Sequence, residues 1–142
     1  MLPWKHPFLM VDRVIECVPH RRIVTCKNVT RGDPMAAGGE GGGSELPGVM
    51  IVEGMSQSAA LLFQATYGPV APGRVPLLGT LKASWERPAR PGDVVTYTLE
   101  AMKMTSRMGF FRGVAEVEST PIARAELGFS VGDPAGSREA AE

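Results

Sequence analysis

The sequence predicts an α+β fold in which a curved antiparallel sheet wraps one long helix. Three observations predict it. One stretch, residues 48–66, runs without a helix breaker and is apolar almost all round. A helix of that kind is buried rather than laid on a surface. Elsewhere, segments alternate apolar and polar residues between Pro, Gly and Ser clusters, the pattern of half-covered strands. The chain has 142 residues, enough for one domain with its own core.

The elements follow in order. VDRVIECV (11–18) and RIVTCKNV (22–29) read as strands joined by a turn at Pro19-His20-Arg21. A polar, glycine-rich loop runs from Thr30 to Leu46. Pro47 then introduces the helix, where an early N–H has no partner to lose. Val49, Met50, Ile51, Val52, Met55, Ala59, Leu62 and Phe63 make it apolar. In LLGTLKASWER, Leu81, Ala83 and Trp85 oppose Lys82, Ser84 and Glu86. In VVTYTLEAM, Val95, Tyr97 and Leu99 oppose Thr96, Thr98 and Glu100. FFRGVAEVE and PIARAELGF repeat the pattern, giving about six strands. The single domain is expected over 2–132, with 133–142 (DPAGSREAAE) a disordered tail. A sheet curled round a helix leaves an open edge, which favours pairing with a second copy.

Composition excludes several classes. Fifteen basic residues balance fifteen acidic ones and the isoelectric point is near 6.7, so no electrostatic grip on nucleic acid or an anionic membrane is expected. No run approaches the roughly 18 apolar residues of a membrane helix, and MLPWKHPFLMVDR has no signal-peptide core; a cytoplasmic protein is expected. Cys17 and Cys26, in neighbouring strands and outside any CxxC, read as buried reduced thiols. No zinc-ligand spacing or phosphate-binding glycine motif is present, so neither metal nor cofactor is expected.

Glu53 is the sharpest candidate for chemistry. It is a carboxylate on a mostly apolar helix, with Gln57 at i+4 on the same face. A buried carboxylate needs a partner or a raised pKa. A solvated acid favoured by the helix N-terminus accounts for it equally well. The N–H groups of Gly48 and Val49 lie at that terminus and can polarise a carbonyl, and Gly48 lacks a Cβ to obstruct a ligand. Five glycines in 38–43 suit a mobile loop. His20 belongs to a turn; His6 is the histidine with a chance of lining a site. Lys82, Arg87 and Arg90 read as strand-edge charges that an acidic carrier domain could meet. Trp85 and Tyr97 read as core, and Met55, Met102, Met104 and Met108 as packing or as a pliable acyl-tunnel lining.

Five stretches, in order, resemble the FabZ/FabA-type 3-hydroxyacyl-ACP dehydratases: LPWKHPFLMVDRVIE, KNVTRGDP, LPGVMIVEGMSQSAALL, KASWERPARPGDVVTYTLE and GFFRGVAEVESTPIARAEL. The resemblance implies a hotdog fold and dimers with active sites at the interface. It implies an acyl tunnel beside the helix and substrates carried on the phosphopantetheine of acyl carrier protein. The reaction implied is loss of water from a 3-hydroxyacyl thioester to give the trans-2-enoyl product, in fatty-acid or polyketide biosynthesis. Glu53 then matches the catalytic acid, Gly48 the polarising N–H and Gln57 the helix glutamine, with Val49 and Gly39 as further binding positions. The family's loop carries a catalytic histidine before Phe-Pro-Gly. Counting back from Pro47-Gly48, that position is Gly39. Losing a positioned base typically costs about 10²–10⁴-fold in rate.

Three functions follow. The chain is a dehydratase, alone or as the histidine-lacking subunit of a heterodimer with a histidine-bearing hotdog partner. It is a thioesterase in which Glu53 activates water. Or it is a non-catalytic module that holds acyl-ACP.

Overall fold

The computed structural model describes residues 4–36 and 43–132. Gly39 and the 133–142 tail, on which two expectations rest, lie outside the described residues. Six strands form one antiparallel sheet: β1 (Arg13–Val18), β2 (Arg22–Asn28), β3 (Val75–Trp85), β4 (Val94–Thr105), β5 (Met108–Val117) and β6 (Thr120–Gly132). Their order is β1-β2-β4-β5-β6-β3. Among the described residues there is one α-helix, α1 (Gly48–Tyr67), which crosses the sheet and packs against all six strands. This is the expected α+β hotdog architecture.

Local chemistry explains the boundaries. Pro47 (φ −68°, ψ 157°) holds the extended conformation of a helix entry, and its carbonyl accepts from the N–H groups of Met50 and Ile51. Gly68, at φ 86°, ends the helix with its N–H on the Gln64 carbonyl. The β1–β2 turn places His20 at φ 65°, and its N–H donates to Thr66 Oγ1 at 2.9 Å. Glu118 and Ser119 both take positive φ in the two-residue link between β5 and β6, as a tight hairpin demands. The strands after α1 run two or three residues longer at one end or another than alternation indicates. Backbone pairing continues there after side-chain burial stops.

The core lies between α1 and the concave face of the sheet. Val95, Tyr97 and Leu99 are fully buried, as alternation predicts, against Ile51, Met55 and Leu62. Burying each such aliphatic side chain stabilises the fold by about 1.5–3 kcal/mol. The Tyr97 ring occupies the space a Cβ would take at Gly54. Beside it, Thr25 and Ser58 share a buried hydrogen bond of 2.7 Å, and Ser58 Oγ donates to the Gly54 carbonyl.

Three core expectations are corrected. Trp85 is 52% exposed, because β3 is an outer strand of the sheet and nothing among the described residues covers that side. Val49 is exposed, on the flank of α1 turned from the sheet. Cys26 is buried but Cys17 is half-buried; both are free, and their strand partners, Ile23 for Cys17 and Arg13 for Cys26, set them several rungs apart. Along β3, Leu77, Leu78 and Leu81 are also exposed, so the edge is apolar and unpaired among the described residues. Among the described residues no helix is long and apolar enough to cross a membrane.

Candidate active site

Glu53 stands in the second turn of α1, half-buried, at one end of a cleft of about 180 Å³. The helix contributes Glu53, Ser56 and Ala60, which share a face by their i, i+3, i+7 spacing. Trp4 and Phe8 come from the N-terminal segment, Pro76 and Leu78 from the β3 edge, and Leu127 and Phe129 from β6. The walls are otherwise apolar. Ser56 turns its hydroxyl back to the Val52 carbonyl at 3.2 Å, so Glu53 is the one ionisable group among the cleft residues.

Gln57 organises this site without lining it. Its side chain is fully buried. Its Oε1 accepts from the Met10 N–H at 2.8 Å, and its Nε2 donates to the Phe8 carbonyl at 2.8 Å and to Glu53 Oε1 at 3.0 Å. A backbone donor on one side and a backbone acceptor on the other leave the amide one orientation. Gln57 therefore clamps residues 8–10 onto the helix and holds the carboxyl by one oxygen. Burial pushes the Glu53 pKa up, and the Gln57 hydrogen bond opposes that only in part. With Oε1 engaged as an acceptor, Oε2 is the oxygen left to carry a proton when the acid is neutral. The carboxyl is thus half-buried and held by Gln57 rather than fully solvated.

The other candidates fall differently. Gly48 is buried at the start of α1, and its N–H and that of Val49 precede the first helix-turn bonds, made by Met50 and Ile51. The space where a Gly48 Cβ would lie is filled by the indole of Trp85, so the missing Cβ admits Trp85 rather than a ligand. His6 is exposed and outside the cleft lining; His20 is exposed, edge-on to Tyr67. Met55 is core, whereas Met102 and Met108 are exposed on the β4–β5 hairpin, away from the residues around Glu53. Arg87 and Arg90 pair with Asp93 and Glu45 at the surface. Nothing in the local sequence marks Trp4, Phe8 or Phe129 as cleft residues. Ser56 and Ala60 were legible, since they share the stripe of Glu53.

The chain is similar to known proteins along most of its length. The FabA-like domain family matches residues 2–126. A 3-hydroxyacyl-[acyl-carrier-protein] dehydratase FabZ from Symbiobacterium thermophilum is 38% identical over 136 residues, covering 95% of this chain and 94% of its own. The FabZ of Enterococcus faecalis is 35% identical, covering 93% of each chain. Among solved structures, a chain of the dehydratase heterocomplex ApeI:P from Xenorhabdus doucetiae superposes with a TM-score of 0.76 at 15% identity, covering 94% of this chain and 89% of that one, which supports the fold. Matched along nearly its whole length by both the domain family and its FabZ members, the chain belongs to the FabA-like family.

Proposed function

We propose that the protein acts on 3-hydroxyacyl thioesters of acyl carrier protein as a dehydratase-type subunit, with Glu53 as the acid. The observation that carries this is the Glu53 carboxyl itself, held by Gln57, its pKa raised by burial, at the head of an apolar cleft. In the reaction a base removes a proton from C2 and the C3–O bond breaks. Glu53 Oε2 delivers its proton to the departing hydroxyl, so that water leaves and a C2=C3 double bond forms. The Gly48 N–H, at the positive end of α1, stabilises charge developing on the thioester carbonyl.

The base is the group this chain does not supply. The family's histidine position is Gly39, and His6 is exposed outside the cleft. Pro76 and Leu78 border the cleft from the open β3 edge, so a chain pairing on that edge comes up against the site. We therefore assign the base to a histidine-bearing hotdog subunit paired there. The test follows 3-hydroxyacyl-ACP by intact-protein mass. The purified chain alone should turn over slowly or not at all, and adding a histidine-bearing subunit should restore loss of water. Glu53→Gln should abolish it in the mixture. Release of free carrier thiol from saturated acyl-ACP, without dehydration, would replace this reading with a thioesterase. Retention of acyl-ACP with neither reaction would make the chain a binding module.

A further inference from the structure

Resting on the reading of the cleft as an acyl site, we infer that Phe129 ends it and limits the acyl chain to about six to eight carbons. The stripe of α1 that carries Glu53 continues through Ser56 and Ala60 to Phe63, at i, i+3, i+7 and i+10. The first three face the cleft and Phe63 does not. Instead its ring meets Phe129 edge-on, with centroids 5.2 Å apart and planes at 68°. Phe129 in turn stacks on Phe111 at 5.3 Å and 12°. All three rings are buried. A ring held on two sides by other rings cannot swing aside as a lone gate does, because each move would open space in close-packed surroundings. The cleft therefore ends on a fixed aromatic wall.

The helix gives the depth. From Glu53 to Ala60 it rises about 10 Å at 1.5 Å per residue. An extended chain advances about 1.2 Å per bond, so that span takes roughly eight bonds. The cleft, of about 180 Å³, is partly open to solvent, so the wall rather than the volume sets the limit.

The test is direct binding of S-acylpantetheines of roughly four to fourteen carbons to the full chain by calorimetry. Each methylene that enters the cleft should tighten binding about four-fold. The gain should stop at about six to eight carbons. Phe129→Leu should move the plateau to longer chains. Ala60→Leu, which narrows the cleft without touching the aromatic stack, should move it to shorter ones, and circular dichroism will report whether each variant is folded. Continued tightening through the longest thioester would overturn the inference, as would a plateau that Ala60→Leu leaves unmoved or the absence of binding at every length. A clear plateau with no dehydration of the matching 3-hydroxyacyl thioester, even with a histidine-bearing subunit present, leaves the wall in place and removes the dehydratase reading.

Discussion

Replacing Gln57 separates its structural from its catalytic work. Gln57→Leu keeps the volume and removes three hydrogen bonds. The Met10 N–H sits in a fully buried residue and loses its acceptor, which costs about 1–3 kcal/mol. The Phe8 carbonyl belongs to an exposed residue and finds water, so its share is small. The net loss should be about 2 kcal/mol, or a Tm lower by roughly 4–8 °C. Glu53 also loses the donor that holds Oε1, so turnover in the reconstituted pair should fall further than stability explains. Gln57→Glu gives a sharper test. Its Oε1 still accepts from Met10, but its other oxygen faces the Phe8 carbonyl and Glu53 Oε1, where a donor is required. The new carboxyl must therefore be protonated in the folded state, with a pKa above the unfolded value of about 4.3. Its stability should match wild type below that value and fall as pH rises through the raised folded pKa. Urea denaturation across pH measures both variants. A Gln57→Leu protein within 0.5 kcal/mol of wild type, or a Gln57→Glu protein with no pH-dependent deficit, would refute the clamp.

Two further outcomes are expected. Because burial raises the folded Glu53 pKa above its ordinary 4.5, wild type loses stability as pH rises through that window, whereas Glu53→Gln does not. The inactive variant should thus melt higher than wild type at neutral pH, and the gap should close as pH falls below 4.5, read by calorimetry. Tyr97 carries a buried hydroxyl with no hydrogen-bond partner among the described residues. Tyr97→Phe removes an unmet polar group and should stabilise the fold by up to about 1 kcal/mol in urea unfolding; a loss of that size would mean that the hydroxyl has a partner.

Alternation made most of the sheet legible, since Val95, Tyr97 and Leu99 sit where a period of two puts them. The helix was legible for a different reason. Its apolar run has no second face to solvate, and Pro47 and Gly68 bound it chemically. What periodicity misses is which strand stands at the edge. Trp85 obeys the alternation of β3 and points to the helix side, yet half of it is exposed, because strand order is a property of the whole sheet. The Glu53–Gln57 pair was visible as an i, i+4 spacing, but the partners of Gln57 lie 47 and 49 residues away and leave no local trace. Phe129 was hidden likewise: one apolar residue in a strand carries no mark of the cleft it closes.

The glycine run is anchored on both sides by described residues. Before it, Asp33 makes a buried ion pair with Lys27 at 2.7 Å and accepts the Met35 N–H, which fixes the turn leading out of β2. After it, Leu46 and Ala89 exchange both backbone hydrogen bonds, at 2.7 and 3.1 Å, and both residues are fully buried. The two anchors thus stand on either side of residues 37–42. Glu53 is held from the opposite direction, by Gln57 and the N-terminal segment. On the proposed reading, a second chain on the open β3 edge, where Pro76 and Leu78 border the cleft, is placed to bring a base to the acid so held.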